Sequence, residues 1–227
     1  MDERARAEEH LQVIRSLMER VTTYRTISAP TALVGGLSSL AVAGWLLARS
    51  GVFGDLDRPR PLGTREFIVP WIVPLVLTIV ANTFFLWRGA RRESRPFLSS
   101  GLRLALRSLL PAILIAGAIT FVALRNPTDL DGPLVVTLTW ISCYGLALLA
   151  TMNFAPRSLS VLGWSFVVTA LFWLLLISAP NLPIGPAVYR AEGATFAMGL
   201  TFGVYHLLYA VTTWSSDRPR ATATERE

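Results

Sequence analysis

Six apolar runs, each about 20 residues long, constrain this chain more than any other feature. They cover roughly residues 30–49, 68–88, 104–124, 133–153, 158–178 and 194–214, more than half of the chain. At ~1.5 Å per residue, a helix of that length crosses the ~30 Å hydrocarbon core of a bilayer. The expected fold is an all-α membrane protein. Six transmembrane helices form a bundle over residues 30–214, preceded by a cytoplasmic amphipathic helix (1–29) and followed by a short tail (215–227) expected to be disordered. The lipid bilayer is then the first partner.

Composition agrees. The 227 residues are 52% hydrophobic and 16% charged, with a mean hydropathy of +0.49; a soluble domain carries about 25% charged residues. All 21 basic residues are arginine, and the net charge is +6. The arginines cluster between apolar runs, so membrane orientation explains them better than nucleic-acid binding does. With the N-terminus inside, the inner segments hold Arg4, Arg6, Arg15, Arg20, Arg25, Arg88, Arg91, Arg92, Arg95, Arg103, Arg107, Arg157, Arg218, Arg220 and Arg226. The outer segments hold Arg49, Arg58, Arg60, Arg65, Arg125 and Arg190. That bias places both termini in the cytoplasm. Trp45, Trp71, Trp87 and Trp214 lie near predicted helix ends, where amphipathic rings favour the interface.

The first run could pass for a signal peptide, because "AVAG" at 41–44 resembles a cleavage site. The preceding segment is too long for one, and its five acids and five arginines do not fit one. Within that segment Leu11, Ile14, Met18 and Val21 recur at helical spacing, with Glu8, Glu9, Arg15, Glu19 and Arg20 on other faces. This reads as an amphipathic helix lying on the inner surface, docked under the bundle, or presented to a cytoplasmic partner. The stretches "GDLDRPRPLG" (54–63) and "APNLPIGP" (179–186) read as outer loops. "NPTDLDG" (126–132) lacks the frame of a calcium loop and reads as a tight turn. "NFAPRS" (153–158) reads as a short inner turn that makes the fourth and fifth helices antiparallel neighbours. The two halves of the chain share no sequence similarity that would mark an inverted repeat.

His206 is the sharpest functional lead. It stands roughly 12 Å inside the last run. At ~100° per residue, one stripe of that helix holds Glu192, Thr195, Gly199, Gly203, His206 and Thr213. Gly199 and Gly203 form a GxxxG pair, which lets another helix approach closely. An ionisable residue on that stripe is expected to hydrogen-bond across the contact. Straight helices also place Asn82, Ser38, Ser39, Ser165, Cys143 and Tyr144 at similar depths, about 9–15 Å from the inner end. The candidate polar layer is therefore His206, Asn82, Tyr144, Ser39 and Ser165. It either specifies the bundle through hydrogen bonds or lines a pocket or proton path around His206, whose ordinary pKa of about 6.5 suits a switch.

Enzyme chemistry has less support. The sequence contains no HExxH, GxSxG or P-loop motif. The other histidine, His10, lies in the N-terminal segment, so a bis-histidine haem or metal centre in the bundle lacks ligands. Cys143 is the single cysteine, which excludes a disulfide within one chain. No catalytic residue, cofactor or metal is expected.

Two stretches, "CYGLALLATMNFAPRSLSVLGWSF" (143–166) and "MGLTFGVYHLLYA" (198–210), resemble uncharacterised small multi-pass inner-membrane proteins of bacteria. The resemblance implies that location and carries over no functional residue. Two functions fit. One is transport or sensing of a small solute or proton through the polar layer. The other is a non-catalytic interaction or assembly role for the N-terminal helix and the arginine-rich 88–107 segment, toward a cytoplasmic protein partner. Oligomeric state is open.

Overall fold

Hydrocarbon offers no partner for a backbone N–H or C=O, so a spanning segment must satisfy them within itself. The computed structural model describes residues 3–51, 62–92, 100–125, 132–152, 155–178 and 191–216. These contain α1 (Glu3–Arg49), α2 (Thr64–Arg92), α3 (Ser100–Arg125), α4 (Gly132–Ala150), α5 (Arg157–Ser178), α6 (Ala191–Met198), a π-helical segment (Gly199–Tyr205) and α7 (His206–Ser216). Among the described residues there is no strand. Six helical stretches are long and apolar enough to cross a membrane: Ala29–Arg49, Thr64–Arg92, Leu102–Arg125, Gly132–Ala150, Arg157–Ser178 and Ala191–Trp214. The chain is thus compatible with a multi-pass membrane protein.

Several boundaries differ from the sequence reading. The second helix runs for 29 residues, about 44 Å, because nothing in "TREF" or "RGARR" stops a helix. The first span does not begin a new element. It continues the N-terminal helix without a break, and α1 runs for 47 residues through Pro30. Proline costs a helix one hydrogen bond, a loss that neighbouring helices offset in a packed bundle. α1 ends where Ser50 N–H donates to the Leu46 carbonyl (2.9 Å) and Gly51 turns left-handed at φ 87°. That conformation is open to glycine without a Cβ clash. The tail, apart from Ser215 and Ser216, and most of the loops at 54–63, 126–132 and 179–186 lie outside the described residues. The link from α4 to α5 is short, as the antiparallel reading requires.

Hydroxyls follow the same rule as the backbone. Thr78, Thr83, Thr120, Ser165, Thr169, Ser178, Thr195 and Thr201 each donate to the carbonyl four residues back, at 2.7–2.9 Å. In a helix facing lipid, the nearest acceptor is its own preceding turn.

The last span is the centre of the bundle. It is 56% buried, whereas the third span is only 11% buried and the second 22%. It packs along α1 and against α4 and α5, while α2 flanks α1 and α3 flanks α4. One core cluster, at the end carrying Arg49, joins Ala43, Leu46, Phe67, Ile68, Trp71, Val136, Ala194 and Met198. The second joins Ile141, Leu148, Leu162, Phe166, Trp173 and Tyr209. Phe202, in the π-helical segment, packs against both. Trp71 departs from the expectation of an interface anchor. It is 8% exposed and belongs to the core, whereas Trp45, Trp87 and Trp214 are exposed.

Candidate site around His206

The last span meets α1 through small residues. A methyl at Gly199 would stand 2.9 Å from Ala43 Cβ, and one at Gly203 2.6 Å from Leu40 Cδ2. On the facing helix, a methyl at Gly36 would stand 2.8 Å from Leu207 Cδ2 and 3.1 Å from the Gly203 carbonyl oxygen. The pairings 36–207, 40–203 and 43–199 run antiparallel. Glycine brings the two backbones into dispersion contact where lipid supplies no hydrophobic drive for association.

His206 does not lie on this seam. An unbroken α-helix would put it on the face of Gly199 and Gly203, but the π-helical segment intervenes. Its i→i+5 pattern takes more residues per turn than the ~3.6 of an α-helix. Residues after it therefore fall out of phase with those before it. Leu207 turns to α1, and His206 turns to α4 and α5. The sequence stripe that joined the glycines to the histidine assumed a constant period, and that assumption fails here.

His206 is 7% exposed. Its Nε2 stands 2.9 Å from Tyr144 Oη on α4. Its Nδ1 stands 3.3 Å from the Thr201 carbonyl oxygen, five residues back. A carbonyl can only accept, so Nδ1 carries the hydrogen and donates. In the neutral form of the ring Nε2 is then bare, and Tyr144 O–H donates to it. The backbone N–H of His206 donates to the Gly203 carbonyl. The π-helical segment and the tautomer thus belong to one arrangement.

Aromatic rings close the site. Phe202 lies parallel to the imidazole, with centroids 6.0 Å apart and planes at 14°. Phe166 meets it edge-on at 5.7 Å and 87°. Tyr144 packs against Phe166 at 4.9 Å and Phe202 at 5.2 Å. Phe166 also touches Tyr205, whose hydroxyl pairs with Thr169 Oγ1 at 2.9 Å. Two polar pairs, His206–Tyr144 and Tyr205–Thr169, therefore sit in one aromatic cluster. Each joins the last span to a different helix.

Of the candidate layer, the fold brings His206 and Tyr144 together. Asn82 belongs to another seam, where Thr31 Oγ1 on α1 donates to its Oδ1 at 3.4 Å. Ser39 is buried in α1 at 3% exposure. Ser38 donates to the Val34 carbonyl (2.8 Å) and Ser165 to the Val161 carbonyl (2.9 Å), each within its own helix. Cys143 is a half-buried free thiol. Equal depth did not make these residues neighbours, because the helical faces differ. Sequence reasoning missed Phe166, Phe202, Thr169 and the Thr201 carbonyl. The i, i+4 spacing of Phe202 and His206 was the available signal.

Among the described residues, no group of three or more His, Cys, Asp or Glu side chains could hold a metal ion. What the arrangement can do chemically is hold a neutral imidazole in one tautomer between two helices. In comparisons with known proteins, the chain matches no family, no curated protein and no solved structure at a significant level.

Proposed function

We propose that this chain is a non-catalytic interaction or assembly protein of the bacterial inner membrane, with both termini in the cytoplasm and α1 as its partner-binding element. The observation that carries this reading is the continuity of α1. About 39 Å of helix precedes the first span at Ala29 in the same continuous helix. On it Leu11 is 65% exposed, which does not suit a helix packed at that point on its own bundle. The membrane part of α1 in turn holds the central span through Gly36, Leu40 and Ala43. A force or a partner on the projecting helix is thereby coupled to the core. The partner chemistry is an apolar helix face with mixed charge around it, matching Leu11 and its neighbouring acids and arginines.

A photo-crosslinking residue at position 11 tests the proposal in cells. One discrete protein adduct is expected, lost in a variant with Glu8→Ala and Gln12→Glu flanking the probe. Crosslinking to lipid alone sinks the reading.

A second reading keeps His206 and Tyr144, the two members of the expected polar layer that meet, as the working centre of transport or sensing. The π-helical segment beside His206 favours it, because such segments recur at functional sites. Under it, His206→Asn abolishes proton or solute flux in proteoliposomes. A variant that matches wild type in such an assay removes this reading.

A further inference from the structure

We infer that the Arg92 end of α2 is a binding site for an anionic glycerophospholipid. Its acyl chain would lie along α2 and its phosphate against the arginines that end the helix. A shallow groove on α2 is lined by Ile79, Val80, Thr83, Phe84 and Trp87. This is the face turned away from α1, since Thr78 and Asn82 face Gly35 and Thr31. The groove is mostly apolar. Thr83 gives its hydroxyl to the Ile79 carbonyl at 2.8 Å.

Any exposed helix face in a bilayer touches acyl chains, so apolar surface alone specifies nothing. The headgroup end does. Residues 80, 84, 87 and 91 form a single helical strip, and the Arg91 guanidinium lies 4.5 Å over the Trp87 ring. Indole and guanidinium together mark interface depth. Arg88 and Arg92 flank Arg91 on α2, and Arg103 and Arg107 begin α3 at the same end of the bundle. All five are exposed, and residues 88–92 and 100–107 contain no acid. A phosphodiester there neutralises guanidinium charge through bidentate hydrogen bonds, while a zwitterionic headgroup brings a competing ammonium. Burial of α2 and α3 is the lowest of the six spans, which leaves lateral access for a lipid. Occupancy by lipid is independent of what α1 binds.

Trp87 is its own reporter. The full chain is reconstituted in phosphatidylcholine bilayers containing brominated phosphatidylglycerol or brominated phosphatidylcholine. The Trp87 contribution is the fluorescence difference between wild type and Trp87→Phe. Quenching at Trp87 should favour the brominated phosphatidylglycerol about fivefold or more, the effect expected of one arginine near the surface. The preference should vanish in Arg88→Gln/Arg91→Gln and persist in Arg157→Gln. Headgroup competition on wild type gives the same answer should the double variant fold poorly: unbrominated phosphatidylglycerol restores the signal and inorganic phosphate does not. Equal quenching by both lipids means ordinary boundary lipid and overturns the inference. So does relief of quenching by inorganic phosphate, which means a free-anion site. Absence of quenching by either lipid, as when a second copy covers α2, overturns it as well.

Discussion

Tyr144 Oη donates a hydrogen bond to His206 Nε2 across 2.9 Å, inside a cluster of aromatic rings that leaves the imidazole 7% exposed. The two residues stand 62 positions apart in the chain, on α4 and the last span. The bond therefore reports the assembled bundle. Stacking of Phe202 and edge contact of Phe166 add about 0.5–1.5 kcal/mol each beyond area burial. Removing either polar partner strands the other in apolar surroundings, which costs more than the bond contributes when both are present.

Tyr144→Phe should accordingly destabilise the protein by about 1–3 kcal/mol, and His206→Phe by a similar amount. The double variant should lose less than the sum, because neither partner of the Tyr144–His206 bond is left stranded by loss of the other. Reversible unfolding in mixed micelles measures the cycle. Strict additivity would mean that the two groups do not interact in the native state.

The glycine seam gives a contrast within one protein. Gly203→Ala pushes a methyl to 2.6 Å from Leu40 Cδ2, and Gly36→Ala pushes one against both Leu207 and the Gly203 carbonyl. Each should cost about 1–3 kcal/mol through overpacking. Gly117→Ala, in α3, meets nothing within 4 Å and should be neutral or stabilise by up to about 1 kcal/mol through helix propensity. Melting temperatures of the three variants settle the order. A Gly117 variant less stable than the Gly203 variant would contradict the packing described.

The spans and the small-residue seam were legible in the sequence because both rest on local signals, apolar length and i, i+4 glycine spacing. Of the residues expected at one depth, the fold brings His206 and Tyr144 into contact. Depth along a helix can be counted from its ends, but azimuth depends on helical phase, and the π-helical segment Gly199–Tyr205 shifts that phase. Ser165 and Ser38 failed as cross-helix partners for a second reason. Their hydroxyls reach the preceding turn of their own helix, a competition that depth alone does not register. Trp71 shows the same limit, since an indole near a helix end is an anchor on the outward face and a core residue on the inward one.

The proposed orientation has a direct test. In a Cys143→Ser background, Glu8→Cys near the start of α1 and Gly63→Cys just before α2 sit at exposed positions on opposite sides of the first span. A membrane-impermeant maleimide should label position 63 in intact cells and position 8 only in inverted vesicles. The arginine bias toward the 88–107 segment is the physical cause. The reverse pattern would place the projecting helix outside and remove a cytoplasmic partner from consideration.

The tautomer of His206 supplies the most specific test of the site. Free histidine in water favours the hydrogen on Nε2, but here that nitrogen accepts from Tyr144 and Nδ1 donates to the Thr201 carbonyl. Nitrogen-15 spectra of ring-labelled protein, with His10→Gln removing the second signal, should show a protonated Nδ1 and a bare Nε2. Tyr144→Phe removes the donor that holds Nε2 in place, so the Nε2 resonance should shift while Nδ1 stays protonated. Thr201 contributes through its backbone, so Thr201→Val should leave the tautomer unchanged. A wild-type ring with its hydrogen on Nε2 would mean that Tyr144 accepts and the Thr201 carbonyl is not engaged. The link between the π-helical segment and the imidazole would then fail, while the α1 seam, which rests on glycine contacts alone, would stand.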